Sequence, residues 1–148
     1  MPVADTKQST GKKDDRSEYI GSETILVVDD NEEENKQTVQ LLKSLGYRVL
    51  ASHNGQSAIA LFEAASRTPG MSIDLVVLDM IMADSMDGLD TYRKILEFNP
   101  NQKAIIVCGF SITDRIKEAL RLGVGQYLQK PYGIEVIGKA VRTELNKS

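Results

Sequence analysis

Short apolar stretches alternate with longer amphipathic ones along most of the chain. Five short runs, most of them rich in Val, Ile and Leu, predict β-strands, because continuous apolar runs are typical of strands buried on both faces. They are Thr24–Val28, Tyr47–Ala51, Ile73–Leu78, Ala104–Cys108 and Gly125–Gln129. The segments between and after these strands carry apolar residues at helical spacing and predict five helices. They are Glu32–Leu45, Gln56–Ala65, Leu89–Glu97 after Gly88, the segment from the Thr113 cap to Leu122, and Ile134–Leu145.

This alternation of strand and helix predicts an α/β fold. Strands joined through single helices form βαβ units, whose right-handed crossovers build a parallel sheet with helices on both faces. Ligands of such folds bind beyond the carboxyl ends of the strands. The residues that follow each strand are therefore the first place to look for chemistry.

The first 22 residues lack this pattern. They are rich in Lys, Asp, Ser, Thr and Gly and carry few large hydrophobic side chains. Such a stretch buries too little apolar surface to offset the entropy lost on ordering. We therefore expect a flexible tail or interdomain linker over 1–22 and one globular domain over 23–148.

Composition removes several classes of function. A formal net charge of −3 is nearly balanced and argues against a nucleic-acid partner. Cys108 is the single cysteine, which excludes an intramolecular disulfide and a cysteine-based zinc cluster. The sequence has no apolar run near the roughly 18 residues of a membrane span, and its N-terminus lacks the apolar core of a secretory signal. We expect a cytoplasmic location without direct membrane contact.

Charged residues follow three of the predicted strands. Asp29 and Asp30 come after the first strand, Asp79 after the third and Lys130 after the fifth. One acid in such a place is often only a helix cap, but four charged residues at ordered positions are hard to obtain by chance. Converging carboxylates repel one another and need a cation, and hard oxygen ligands with room for phosphate suit Mg²⁺. Lys130 would offset the remaining negative charge or hold a phosphoryl oxygen.

Four motifs in order resemble the signature of receiver domains of two-component signalling. They are the segment ILVVDD at 25–30, Asp79 after Leu75–Leu78, Met86-Asp87-Gly88 and Lys130-Pro131-Tyr132. The resemblance covers about residues 23–146. It implies a flavodoxin-like (βα)5 fold, a three-layer sandwich with the parallel sheet order 2-1-3-4-5. It also implies a cytoplasmic bacterial phosphoprotein of a phosphorelay.

The resemblance assigns a role to each matching residue. Asp79 matches the aspartate that accepts a phosphoryl group from a phosphohistidine, and Lys130 matches the lysine that contacts this group. Asp30 matches the direct Mg²⁺ ligand and Asp29 the neighbour that holds the metal mainly through water, while Asp79 and the backbone carbonyl of Ile81 complete the expected metal site. Phosphorylation would then switch the conformation. A receiver catalyses its own phosphorylation and dephosphorylation without being a turnover enzyme.

Two residues occupy switch positions of the family. Cys108 falls where the family usually has Ser or Thr, and a thiol is a weaker hydrogen-bond donor with a larger sulfur. We therefore expect phosphorylation to survive while its coupling to conformation weakens; the alternative is that Cys108 is an ordinary small buried residue. Tyr127 matches the aromatic switch position, the alternative being a tyrosine at a sheet edge.

The loop after the acceptor departs from the family pattern. Ala83 stands where the family often has proline, and the segment 83–85 is one residue longer than the commonest loop. Asp84 and Asp87 lie in this loop and resemble extra metal ligands, but we expect both to be solvated loop acids.

Other functions fit the residues less well. A phosphatase of the dehalogenase type needs a second acid two residues after its nucleophile, where Ile81 stands. A nucleotide or flavin binder needs a glycine-rich phosphate loop after the first strand, and residues 29–34 are acidic instead. A pseudo-receiver that acts only as a binding module stays open because of Cys108.

The resemblance implies a histidine kinase or a histidine phosphotransfer domain as the partner. The face formed by helix four, strand five and helix five is the candidate surface for a homodimer. Two contexts fit the chain, a stand-alone receiver and the C-terminal receiver of a hybrid sensor histidine kinase. The polar residues 1–22 resemble the linker between a kinase ATPase domain and its receiver, and they favour the hybrid context.

Overall fold

A five-stranded parallel sheet organises the residues that the computed structural model describes, which are 18–83, 86–109 and 111–147. The strands are β1 (Thr24–Val28), β2 (Arg48–Ser52), β3 (Leu75–Asp79), β4 (Ala104–Cys108) and β5 (Gln126–Gln129). The helices are α1 (Glu32–Ser44), α2 (Gly55–Ser66), α3 (Gly88–Phe98), α4 (Asp114–Leu122) and α5 (Ile134–Leu145). The strand order is β2-β1-β3-β4-β5, so the predicted α/β topology is confirmed.

The side chains of the sheet alternate between two apolar cores. On one face, residues such as Leu26, Val76 and Ile106 pack against α2, α3 and α4. On the other face, residues such as Val27 and Val77 pack against α1 and α5. Because β3 and β4 are buried at every position, their sequences are continuous apolar runs rather than alternating ones. The result is the expected three-layer sandwich.

Polar side chains start the helices at the carboxyl ends of the strands. The Asn31 and Asn54 side chains accept hydrogen bonds from the third residue of α1 and α2, Asp87 does so for α3, and Thr113 caps α4 as predicted. These caps satisfy amide groups that have no partner inside a helix. They also fix where each strand–helix loop turns, which is where the site lies.

The bounds of strands β2, β3 and β5 differ from the predicted ones at their first residues. Strand β2 is shifted by one residue, and β3 begins at Leu75 rather than Ile73. The reason at β3 is Asp74, whose carboxylate accepts a hydrogen bond from the Thr24 amide at 2.8 Å before the ladder begins. The pattern of apolar positions does not reveal this contact, whose partners are 50 positions apart in the sequence.

The end of the predicted tail lies against the domain. The Gly21 amide donates to the Leu45 carbonyl at 3.1 Å, and the Tyr47 hydroxyl donates to the Tyr19 carbonyl at 2.9 Å. Residues 1–17 of the predicted tail lie outside the described residues. Within the described part of the chain, none of the helices combines the length and the apolar character that a membrane crossing requires.

Candidate functional site

The carboxyl ends of the strands bring the predicted residues together. Asp79 is the last residue of β3, the central strand, and its neighbour Met80 donates its amide to the Val107 carbonyl at 2.9 Å. The Asp29 amide donates to the Ser52 carbonyl at 3.1 Å, just beyond β1, and the Lys130 amide donates to the Cys108 carbonyl at 2.8 Å, just beyond β5. Each functional side chain is therefore held by a backbone bond that continues the sheet.

Asp29, Asp30 and Asp79 form an acidic cluster. Each offers a carboxylate oxygen, and these oxygens all lie within 4.8 Å of one another. Asp29 and Asp79 are buried, whereas Asp30 is half-buried. Asp29 also accepts a hydrogen bond from the Asn31 amide at 2.9 Å, and Asp30 accepts one from the Ala83 amide at 2.6 Å. These bonds orient the acid pair toward the end of β3.

Lys130 joins this cluster with its ammonium group. Its Nζ lies 3.0 Å from Asp29 Oδ2 and 3.4 Å from Asp79 Oδ2. It also lies 2.5 Å from Glu34 Oε1, a contact from the first turn of α1 that the sequence did not indicate. Burial lowers the pKa of Lys130, but the hydrogen bonds to Glu34 and Asp29 and the charges of Asp79 and Asp29 together hold the pKa above its ordinary value.

The cluster carries more negative charge than Lys130 balances. Burial, and then the nearby charge of Asp29, raise the pKa of Asp79 to about 7, although Lys130 acts in the opposite direction. A divalent cation among the three carboxylates would remove this penalty. The donors are hard oxygens on carboxylates, the ligands that Mg²⁺ prefers. The residues present therefore fit a Mg²⁺ site.

Buried contacts behind the cluster hold it in place. The Asn35 side-chain amide donates to the Asp29 carbonyl at 2.9 Å and to the Ser52 carbonyl at 2.8 Å, joining the ends of β1 and β2. Gly88 approaches β3 so closely that an added Cβ would lie 2.7 Å from the Asp79 carbonyl oxygen. The glycine of the Met-Asp-Gly motif thus lets α3 begin directly against the end of the acceptor strand.

Comparison with known proteins identifies the family. A family model of the response regulator receiver domain matches residues 25–142. The chain belongs to this family. The chemotaxis protein CheY of Treponema pallidum (strain Nichols) is 35% identical to the receiver over 132 residues, which are 88% of this chain and 85% of that protein. The transcriptional regulatory protein ZraR of Klebsiella oxytoca is 37% identical over 107 residues, which are 72% of this chain but 23% of ZraR.

Solved structures agree with the observed fold. A receiver domain protein from Clostridium thermocellum has a TM-score of 0.76 and 28% identity, covering 84% of this chain and 94% of that one. The CheX–CheY–BeF3–Mg²⁺ complex from Borrelia burgdorferi gives a TM-score of 0.78 at 24% identity, covering 89% of this chain and 99% of that one. The flavodoxin-like fold that the resemblance implied is therefore confirmed, and it is that of solved receivers.

The two switch-position residues of the receiver lie on the face covered by α2, α3 and α4. Cys108 is buried in the apolar core of that face. It also lines a groove of about 470 Å³, together with residues that include Ile81 and Arg115. Tyr127 is half-buried, packs on the same core and lies opposite Ile106 in the ladder. Their switching roles, and the metal-binding role of the Ile81 carbonyl, stay predictions.

Asp87 corrects one expectation about the loop. It is the N-cap of α3, where it accepts a hydrogen bond from the Asp90 amide, and it pairs with the Arg115 guanidinium of α4. Burial raises the pKa of Asp87, but the hydrogen bonds from Arg115 and the Asp90 amide, together with the charge of Arg115, hold the pKa below its ordinary value. The prediction of a solvated loop acid is wrong for Asp87, and Asp84 lies outside the described residues. The Arg115 partner is 28 positions away in sequence, so no local pattern announces it.

Proposed function

We propose that Asp79 of this receiver accepts a phosphoryl group from a phosphohistidine. The observation that supports this most is the position of the Asp79 carboxylate, which lies 3.4 Å from Lys130 Nζ among acids whose oxygens are within 4.8 Å of one another. An acceptor needs a nucleophilic oxygen, a cation on each side of the transferring group, and little else, because positioning and electrostatics carry phosphoryl transfer.

The residues of this cluster have defined roles in the proposed reaction. An Asp79 oxygen attacks phosphorus and forms an acyl phosphate. The P–N bond to histidine breaks, its electron pair goes to the imidazole, and the imidazole takes up a proton. Lys130 holds one phosphoryl oxygen as a point charge. Asp29, Asp30, Asp79 and the Ile81 carbonyl would hold Mg²⁺, which supplies charge neutralisation on the transferring oxygens. Attack of water on phosphorus then returns the carboxylate and releases inorganic phosphate.

Related structures support the choice of metal. The complex of CheY from Borrelia burgdorferi contains BeF3 and Mg²⁺, and the response regulator TrrA from Thermotoga maritima was solved with Mg²⁺ and BeF. The acidic cluster described above supplies ligands of the same kind in this chain. We therefore propose Mg²⁺ as the cofactor.

The proposed donor is a histidine kinase or a histidine phosphotransfer domain. Receiver domains in general work with such proteins. We also propose a cytoplasmic location, because the proposed donor, a histidine kinase, phosphorylates itself with ATP. From the sequence, we also propose a homodimer through α4, β5 and α5. We likewise propose that this receiver is part of a hybrid kinase.

Intact mass spectrometry tests the proposal directly. The chain is incubated with Mg²⁺ and acetyl phosphate, and we expect one phosphoryl adduct that Asp79→Asn abolishes. Asp114→Asn is the matched control, since it removes an exposed acid of α4 and should leave the adduct unchanged. No adduct with acetyl phosphate or with any histidine-phosphorylated donor would refute the acceptor role and favour a pseudo-receiver.

A further inference from the structure

Lys130 contacts more carboxylates than it could keep as partners once Asp79 carries a phosphoryl group. An ammonium group has three N–H donors, and three carboxylates surround this one, those of Asp29 at 3.0 Å, Glu34 at 2.5 Å and Asp79 at 3.4 Å. A phosphoryl group on Asp79 adds another anionic acceptor beside the same nitrogen. One of the present contacts must then weaken.

Solvent exposure indicates which contact yields. The side chains of Asp29 and Asp79 are 4% and 7% exposed, so water cannot easily replace a lost ammonium contact at either carboxylate. The Glu34 side chain is 47% exposed and can turn into water from the first turn of α1. Water replaces the lost ammonium at small cost for an exposed carboxylate. Glu34 is therefore the partner that leaves most easily.

We propose that Glu34 is a positioning residue that competes with the phosphoryl group for Lys130, so that phosphorylation releases Glu34 from the lysine. This inference rests on the proposed function of Asp79. It makes Glu34 an attenuator: its carboxylate draws the ammonium away from the place of the phosphoryl oxygens, and its charge repels an incoming anionic group.

The release also changes a surface outside the acidic cluster. Glu34 and Lys130 line one side of a cavity of about 120 Å³ between α1 and the segment that follows β5. Thr38 and Tyr132 join the two elements across this cavity through their hydroxyl groups, 2.8 Å apart. When Glu34 leaves Lys130, the wall of this cavity loses its ion pair while the Thr38–Tyr132 contact keeps the two elements together.

Glu34→Gln tests the competition, with Glu33→Gln as its matched control. Both substitutions remove one negative charge from the first turn of α1, but Glu33 is exposed, and the ion pairs of Lys130 are with Asp29, Glu34 and Asp79. Two affinities are measured on the full chain, that for Mg²⁺ alone by calorimetry and that for beryllofluoride at saturating Mg²⁺ by ¹⁹F NMR. For Glu34→Gln we expect beryllofluoride to bind about three to ten times more tightly.

The Mg²⁺ affinity should move in the opposite direction. Without Glu34, Lys130 turns its donors fully to Asp29 and Asp79, the carboxylates that hold the cation, so Mg²⁺ should bind about two to three times more weakly. Glu33→Gln should change each affinity less than about twofold. Glu34→Asp, whose side chain is one methylene shorter and reaches Lys130 poorly, should shift the beryllofluoride affinity in the same direction as Glu34→Gln.

The opposite signs separate competition from a merely structural role. If Glu34→Gln weakens both ligands, Glu34 supports Lys130 rather than competing with the phosphoryl group, and the inference is overturned. It is equally overturned if the Glu34 and Glu33 variants behave alike. If the wild-type chain itself binds no beryllofluoride with Mg²⁺ and forms no adduct, the proposed function fails and the inference fails with it.

Discussion

Replacing Asn35 tests how the acid pair is anchored to the sheet. The Asn35 side chain is buried, and its amide donates to the Asp29 carbonyl at 2.9 Å and to the Ser52 carbonyl at 2.8 Å. Asn35→Ala removes both donors. The Ser52 carbonyl keeps the Asp29 amide as a partner, at 3.1 Å, whereas the Asp29 carbonyl loses the Asn35 donor. An acceptor left buried without a donor costs about 1–3 kcal/mol and the second lost bond about 1 kcal/mol.

We therefore expect Asn35→Ala to lower the free energy of unfolding by about 2–4 kcal/mol. Urea denaturation measures it, as a lower midpoint at an unchanged slope. Lys36→Ala is the matched control, because this neighbour on α1 is exposed and should change stability by less than about 0.5 kcal/mol. Because the lost bond holds the backbone of Asp29, a proposed metal ligand, the folded variant should also bind Mg²⁺ more weakly.

A second variant checks that hydrogen-bond donation is the cause. Asn35→Asp keeps the shape of the side chain but turns a carboxylate toward two carbonyl oxygens. At neutral pH it should destabilise at least as much as Asn35→Ala. As the pH falls, protonation of the introduced carboxyl restores one donor, so the difference from wild type should shrink. The reasoning is refuted if Asn35→Ala unfolds within about 0.5 kcal/mol of wild type at an unchanged slope.

Three further predictions concern the packing, the ionic contacts and the switch. Gly88→Ala places a Cβ 2.7 Å from the Asp79 carbonyl oxygen and should lower the free energy of unfolding in urea by about 1–3 kcal/mol. Gly109→Ala should cost little, because a Cβ there would meet nothing within 4 Å beyond its neighbours in the chain, and equal effects would contradict the close approach at Gly88. The hydrogen bond from Arg142 lowers the pKa of Glu23 more than burial raises it. This contact therefore stabilises the fold at pH values above the pKa of Glu23 in the unfolded chain, and the stabilisation is lost as the pH falls through the pKa of Glu23 in the folded chain. Glu23→Gln should then destabilise by at most about 1 kcal/mol at neutral pH and by less in acid, and a difference independent of pH would exclude the ion pair as its cause. Cys108→Thr adds a hydroxyl donor and should prolong the life of the phosphoryl adduct in a mass-spectrometric time course or enlarge the spectral change at Tyr127; if neither changes, the thiol is an ordinary substitute.

The sheet and the centre of the site could be predicted because both follow from strong, regular signals. Strands β1, β3 and β4 are almost wholly buried, so each is a continuous apolar run. In a parallel sheet, the residues after such strands meet at one edge, which brings Asp29, Asp79 and Lys130 together without any knowledge of loop structure.

The supporting contacts could not be predicted in the same way. Asn35 is a polar residue on the buried side of α1, and a pattern of apolar positions treats such a residue as solvent-facing. Glu34 is one of three consecutive acids at the start of α1, and nothing in that run tells which of them reaches Lys130. The pairing of Asp87 with Arg115 depends on how close α3 and α4 lie, which is a property of the tertiary packing.

The strand order also has a consequence for motion at the site. Asp79 belongs to the central strand β3, buried at each position, whereas Lys130 follows β5, an edge strand that is at best half-buried. Local opening of a fold begins at elements with few buried contacts. Amide hydrogens of β5 should therefore exchange with solvent faster than those of β3. Asp79 would then stay in place while Lys130 fluctuates. Adjustment to an incoming phosphoryl group would therefore occur at the edge of the sheet.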